Sequence, residues 1–316
     1  MKSLKIGCVQ ATPVIFNKKK TLEKAAELIK EAASEDVKLL VFPESFIPAY
    51  PAGLGFGTVV GSRTETGRDQ FREYWENSVE VAGPETERLT ELAKKYDMYI
   101  VMGVTERDAI SKTLYCTLLY FSPKTGLMGK HRKLKPTAAE RLIWGDGNSS
   151  TLSTFDTEIG KIGGLICWEN YMPLARMAMY QKGVELYVAP TADARDSWNS
   201  TMIHIAREGR CYVIGCNQII NKSDYPDHLK EHLAKDRPEL LSRGGSVIVS
   251  PMGEVLAGPL YDEEGLLTAE ASLEDLVRSK MDFDVIGHYS REDVFEFGVP
   301  GQPHIIKESE LDNSAK

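Results

Sequence analysis

The sequence has little of what marks a membrane, secreted or nucleic-acid-binding protein. No apolar run approaches the ~20 residues that cross a bilayer, which excludes a membrane helix anywhere in the chain. Cysteine is sparse, with Cys8, Cys116, Cys167, Cys211 and Cys216 widely spaced and no Cys-x-x-Cys pair. That pattern is neither a disulfide framework nor a zinc ribbon, and reduced thiols are the simpler expectation. Positive charge is in deficit: 38 Lys and Arg stand against 46 Asp and Glu, for a net charge of −8. General attraction to phosphate backbones or anionic membranes is therefore not expected, and neutral small molecules remain open. The opening M-K-S-L-K-I-G-C-V-Q carries neither the apolar block of a signal peptide nor an arginine-rich transit pattern, so the expected compartment is the cytoplasm.

What is present is an ordinary globular composition, 42% apolar and 27% charged over 316 residues, long enough to bury a full core as one or two domains. No linker interrupts the middle. Residues 4–10 alternate as a strand, Asn17 can cap a helix running to residue 34, and residues 37–42 form the next strand. In that helix Leu22, Ala25, Leu28, Ile29 and Ala32 recur at helical spacing. A strand–helix–strand opening implies parallel pairing through a crossover helix. Glu44 then follows the second strand directly, at the carboxyl end where open α/β sheets collect functional groups.

The loop over residues 47–61 is rich in glycine, proline and aromatics and reads as an irregular wall. Its G-L-G-F-G lacks the spacing and the strand-to-helix placement of a dinucleotide fingerprint. Helices are expected over residues 68–81 and 84–96, and strands over 98–104, 113–121 and 127–131. The segment K-H-R-K-L-K-P-T-A-A-E-R that follows, containing Lys133 and Glu140, would ordinarily be a solvated basic turn. Residues 184–189, 196–209 and 211–218 repeat the strand–helix–strand pattern. Further strands are expected over 244–250, 253–257 and 265–271, with a short helix over 273–280. Periodicity fades after Met281, and residues 306–316 read as a disordered tail.

The most informative stretch is G-G-L-I-C-W-E-N-Y-M-P-L-A-R from Gly163 to Arg176. Residues 161–166 suit a buried strand closely approached by other backbone, and Pro173 opens a helix expected to run to residue 181. Cys167 thus lies on a sharp strand-to-helix connection, the position that exposes a nucleophile in the Gly-x-Ser-x-Gly elbow. A thiol there is expected to gain thiolate character from the local field. A free cysteine is more commonly a small inert hydrophobe, so the neighbouring residues have to decide. One competing motif is His228-Leu229-Lys230-Glu231-His232, a His-x-x-Glu-His zinc pattern. It sits in a heavily charged stretch that reads as an exposed insertion, with no third ligand nominated, and no metal is expected.

Gly163, Gly164, Cys167, Trp168, Glu169, Asn170, Pro173 and Arg176, together with Phe42-Pro43-Glu44-Ser45-Phe46 and His131-Arg132-Lys133-Leu134 with Pro136-Thr137, resemble the nitrilase branch of the carbon–nitrogen hydrolases. Three separated motifs in order are specific where one short match is not. The resemblance implies an α/β four-layer α-β-β-α sandwich, with residues 1–305 as a single domain. It also implies a Glu44–Lys133–Cys167 triad, with Glu44 as general base, Lys133 stabilising developing charge and lowering the thiol pKa, and Cys167 attacking carbon. Glu140 would be a second carboxylate orienting Lys133, the Trp168 N–H an oxyanion donor, and Glu169 a structural tie for the elbow. A Cys–His pairing with His131 is the competing arrangement. Flanking stretches similar to nitrilases nominate Tyr50, Trp168 and Trp198 as substrate contacts. The implied substrate is an aliphatic, arylaliphatic or dinitrile, with an amidase as the alternative. No cofactor is needed, no nucleic acid or membrane partner is expected, and a homo-oligomer built on dimers through residues 172–180 is.

Overall fold

In a computed structural model describing residues 3–302, β1 (Ser3–Gln10) feeds α1 (Lys18–Ser34), and β2 (Val37–Val41) returns parallel to β1. Asn17 caps α1 by accepting from the Lys20 N–H at 3.0 Å, which satisfies a first-turn donor that has no partner within the helix. α2 (Glu65–Asn77), α3 (Pro84–Tyr96), β3 (Tyr99–Arg107), β4 (Leu114–Ser122) and β5 (Gly126–Arg132) complete the first half. α2 departs from the expected 68–81 at both ends. It starts earlier because Thr64 Oγ1 accepts from the Gly67 N–H at 3.0 Å. It stops at Asn77 because Val79 pairs with the edge of β3, donating to Thr105 O at 2.9 Å and accepting from Arg107 N–H at 2.8 Å.

The second half runs β6 (Thr154–Phe155), β7 (Ile162–Gly164), α4 (Pro173–Gln181), β8 (Leu186–Thr191), α5 (Asp196–Gly209), β9 (Tyr212–Asn217), β10 (Ile219–Asn221), α6 (Asp227–Lys230), β11 (Leu240–Val249), β12 (Val255–Tyr261), β13 (Gly265–Ser272) and α7 (Leu273–Ser279). α4 and α5 keep their expected bounds. The expected tail at 306–316 lies outside the described residues.

Two sheets result. One has the order β13-β1-β2-β3-β4-β5; the other has seven strands, β10-β11-β9-β8-β7-β6 with β12 on β11. Each has a parallel centre, β1-β2-β3 in the first and β7-β8-β9 in the second, flanked by antiparallel strands. Strand alternation divides the apolar side chains among three cores. Ile6, Cys8, Leu39, Val41 and Val101 from the first sheet meet Ile162, Val188, Ile214 and Ile248 from the second, filling the space between the sheets. Val9, Leu40, Ile100 and Met102 point the other way, onto Ala25 and Ile29 of α1 and Leu89 and Leu92 of α3. Tyr187, Ala189, Val213 and Val247 pack outward onto Met179 of α4 and Met202 and Ile205 of α5. The layers therefore run helix, sheet, sheet, helix, the four-layer sandwich that the resemblance implied.

Close backbone approach behind the two key turns fixes the identity of two glycines. A Cβ on Gly103 of β3 would lie 1.9 Å from Pro43 O and 2.9 Å from Glu44 Cα, and one on Gly164 of β7 would lie 1.8 Å from Val188 O. Neither obstacle is a flexible side chain that could swing away. Gly103→Ala and Gly164→Ala are each expected to cost about 3 kcal/mol, at the upper end for overpacking. Gly55→Ala, which meets nothing within 4 Å, should change stability by less than about 0.5 kcal/mol. Thermal unfolding at a fixed scan rate checks the contrast, and equal midpoints for Gly103→Ala and Gly55→Ala would contradict it.

Candidate active site

Five strand ends supply the site. Glu44 follows β2 and is fully buried; the next residue, Ser45, adopts φ 50° and has its hydroxyl 2.5 Å from Thr105 Oγ1 and 3.2 Å from the Tyr74 hydroxyl. Gln218, at the end of β9 in the other sheet, donates from Nε2 to the Glu44 carbonyl at 3.0 Å, tying the turn across the sandwich. Lys133 follows β5, and its N–H donates to Cys116 O at 2.8 Å while its carbonyl accepts from Gly147 at 2.7 Å. Its side chain is buried, and Nζ donates to Glu44 Oε1 at 2.7 Å and Glu140 Oε2 at 2.8 Å. Glu140 comes from a 3-10 turn, Ala138–Leu142. It is held by the Thr137 N–H on Oε2 at 2.6 Å and by the Tyr50 hydroxyl on Oε1 at 2.8 Å.

Cys167 follows β7 and opens a 3-10 turn, Cys167–Tyr171, that leads into α4. Its φ of 52° is left-handed, a conformation disfavoured for a residue with a Cβ and held here by its surroundings. Asn170 Nδ2 donates to the carbonyls of Leu165 and Cys167 at 3.0 and 2.8 Å, and Glu169 Oε2 accepts from the Ile166 N–H at 2.7 Å. Thr191, ending β8, donates its hydroxyl to Cys167 Sγ at 3.2 Å. His131 does not face the thiol: its ring nitrogens lie 3.2 Å from Thr151 O and 3.0 Å from Glu169 Oε2, so the Cys–His alternative lacks its contact.

Charge in this buried site is closely balanced. Burial raises the Glu44 carboxyl above its ordinary value, Lys133 opposes the rise, and Glu140 adds to it. Burial alone would depress the Lys133 ammonium, yet Glu44 and the other negative or potentially negative groups around it hold it well above its ordinary value. The Cys167 thiol is pushed up, first by burial and then by Glu44, with Lys133 acting in the opposite sense. The thiolate character expected from the elbow is therefore absent at rest. Desolvation outweighs the cation. Among the described residues no hydrogen-bond partner reaches Glu44 Oε2, which leaves one buried carboxylate oxygen with its acceptor capacity unused.

Two adjoining cavities of about 430 and 420 Å³ share Tyr50, Glu140, Ala192, Arg237 and Leu241 in their walls. Cys167 and Trp168 open into the first and Gln218 into the second. Tyr50 lies against Trp144, and the Trp168 indole N–H donates to Asp193 at 2.9 Å while Arg195 covers its ring. Trp198, expected to touch substrate, lines neither cavity. Its α5 register turns it into the outer core with Met202 and Ile205, where it is 2% exposed.

The charged stretch expected as an exposed insertion is instead a wall of the site. Leu229 and Leu233 are buried, Ala234 donates its N–H to Gly53 O at 3.0 Å, and the Tyr225 hydroxyl donates to Ala52 O at 2.7 Å. Leu233 pairs with Leu54 of the 47–61 loop, and Arg237 joins the walls of both cavities. The His-x-x-Glu-His residues stay apart: His228 pairs with Glu73 at 3.0 Å, and His232 lies beside Glu231. Among the described residues no three His, Cys, Asp or Glu side chains group to hold a metal.

Three contributors were not singled out from the sequence. Thr191 and Gln218 stand at carboxyl ends of parallel strands, and the rule that located Glu44 would have located them. Cys116, whose Sγ lies 3.4 Å from Glu44 Oε1, is embedded in the apolar run of β4 with nothing local to distinguish it. The Thr191 contact favours the charged sulfur. Thr191→Val should therefore slow Cys167 alkylation by iodoacetamide about fivefold at neutral pH, the equivalent of one hydrogen bond of ~1 kcal/mol. An unchanged rate in a folded variant would remove Thr191 from the site.

A sequence profile of the carbon–nitrogen hydrolase family matches residues 5–281. Nitrilase 2 of Arabidopsis thaliana is 51% identical over 301 residues, spanning 93% of this chain and 88% of that protein. The aliphatic nitrilase of Sinorhizobium fredii (strain HH103) is 49% identical over 303 residues, spanning 96% and 97%. Among solved structures, a carbon–nitrogen hydrolase from Helicobacter pylori G27 superposes with a TM-score of 0.72 at 21% identity, covering 93% of this chain and 97% of that one, which bears on the fold alone. With the fold, the three motifs and relatives of about half identity in agreement, the chain belongs to the carbon–nitrogen hydrolases, in their nitrilase branch.

Proposed function

We infer that this chain is a nitrilase that converts an organic nitrile and two waters to the carboxylic acid and ammonia through a covalent intermediate on Cys167. The observation that carries the mechanism is the buried Lys133 ammonium held between Glu44 and Glu140 beside a cysteine on a strained elbow. The choice of nitrile over amide rests on relatives of about half identity that carry nitrilase names.

In this reading Glu44 takes the thiol proton as sulfur attacks the nitrile carbon, because the thiol is too weak an acid at rest to supply thiolate unaided. Lys133, and the Trp168 N–H at the start of the 3-10 turn, stabilise the charge that develops on nitrogen. Protonation gives a thioimidate. Water activated by Glu44 adds to it, the tetrahedral carbon expels ammonia, and a second water hydrolyses the thioester. If the tetrahedral species expels sulfur instead, an amide leaves. Glu140 keeps Lys133 aimed, and Tyr50 keeps Glu140 aimed. Tyr50 and Trp168 border the bound substrate, which is aliphatic, arylaliphatic or a dinitrile.

The catalytic unit is taken as one domain over residues 1–305 acting in the cytoplasm without a cofactor. Tyr171, Met172 and Leu174 at the start of α4 are 40%, 39% and 69% exposed, and their apolar area supports a homo-oligomer built on dimers through this helix. Differently tagged copies should co-purify, and their failure to do so would set the oligomer aside.

Product time courses on an aliphatic nitrile, a dinitrile, an arylacetonitrile and the matching amides test the activity. Acid and ammonia should form from at least one nitrile with little amide turnover, and Cys167→Ala should lose at least ~10³-fold in kcat. Turnover of amides alone would make the enzyme an amidase, and full activity in Cys167→Ala would overturn the mechanism. The base must be ionised to act, so activity is expected to fall as pH drops through the raised Glu44 pKa. That acid limb should therefore lie above the ordinary carboxylate value of 4.5.

A further inference from the structure

We propose that His131 and Glu169 form a charged imidazolium–carboxylate pair, buried behind the site, that sets the spacing between the backbone segments bearing Lys133 and Cys167. The assignment of charge follows from the hydrogen-bond geometry. Glu169 Oε1 lies 2.6 Å from the Leu134 nitrogen and 3.2 Å from His131 Nε2, while Oε2 lies 2.7 Å from the Ile166 nitrogen and 3.0 Å from the same Nε2. Each oxygen accepts a backbone N–H at 2.6 or 2.7 Å, the short distance of a charge-assisted hydrogen bond, and the two share one Nε2, the geometry of an ionised carboxylate. Nε2, facing two acceptors, must then carry hydrogen. Nδ1 faces the Thr151 carbonyl at 3.2 Å, an acceptor with no proton to give, and it too must carry hydrogen. A ring with hydrogen on both nitrogens is an imidazolium.

The surroundings fit that charge. The side chains of His131 and Glu169 are 1% and 0% exposed, so an ionised Glu169 without a cation would be costly. Burial works against the imidazolium, but Glu169 and the Thr151 carbonyl outweigh it and raise His131 above its ordinary value. Tyr120 and Tyr187 lie within electrostatic reach of the carboxylate, and burial raises the pKa of both phenols.

The pair's position gives it a role in positioning. Leu134 is the residue after Lys133 and Ile166 the residue before Cys167, so one carboxylate grips the neighbours of both groups. His131 itself lies two residues before Lys133 on β5, and its imidazolium in turn fixes the carboxylate against the Thr151 turn. Neither side chain lines either of the two cavities beside Cys167 and Gln218. The two act through Lys133 and Cys167, and the role rests on the nitrilase reading above.

The test has one arm that needs no turnover. In enzyme carrying ring-¹⁵N histidine, with the His131 signals assigned by their loss in His131→Gln, both ring nitrogens should show the protonated form at pH 7. A neutral ring at pH 7 with one bare nitrogen would overturn the charge assignment whether or not the enzyme hydrolyses nitriles. In the second arm, folded Glu169→Gln should lose about 10- to 100-fold in kcat with KM within a few fold, because an amide can accept on only one side and frees one backbone anchor. Unchanged kcat in that variant would remove the positioning role while leaving the nitrilase reading intact.

Discussion

The burial of the Lys133 ammonium is the constraint on which the rest of the site depends. A desolvated cation costs several kcal/mol unless counter-charge and hydrogen bonds replace its water. Here Glu44 reaches it from the end of β2 and Glu140 from the 3-10 turn beyond β5. Meeting that requirement brings together two chain segments far apart in sequence, and each is then held from behind. Glu44 is backed by Gln218 from the other sheet, and Glu140 by Tyr50 and the Thr137 N–H. The same clustering that satisfies the lysine surrounds Cys167 with carboxylates, and burial together with Glu44 pushes its thiol pKa up.

The sandwich is what makes such a site possible. Each sheet contributes parallel strands whose carboxyl ends leave backbone groups and side chains pointing past the sheet. Stacking the sheets through one shared core sets those ends side by side. Sheet one supplies Glu44 and Lys133, and sheet two supplies Cys167, Thr191 and Gln218. Gly103 and Gly164 allow the turns to lie flat against neighbouring strands, so the positions of Glu44 and Cys167 follow from backbone packing as well as from their own contacts.

The cavity walls come from the least regular parts of the chain. The 47–61 loop was legible as a wall because glycine, proline and aromatics exclude a regular element there. The stretch around residues 225–241 was not, because its charges dominate its composition. Its inward apolar residues, Leu229 and Leu233, acquire meaning only opposite Gly53 and Leu54. Trp198 shows the reverse error. It lies in a stretch similar to nitrilases, but a helix has two faces, and α5 turns this residue toward the outer core.

By itself the sequence determined the elements whose signals are local. The Asn17 cap fixed the start of α1, Pro84 and Pro173 fixed the starts of α3 and α4, and alternation fixed most strands. Through three motifs it also singled out Glu44, Lys133 and Cys167, which the fold brings close together. Tertiary structure alone decided their protonation at rest, because a pKa depends on burial and on charges brought from distant segments. It likewise decided the contacts of Thr191, Gln218 and Cys116, the facing of His131 toward Glu169, and the direction of Trp198. Each of these depends on which surfaces meet when two sheets stack, and no local pattern in the chain encodes that.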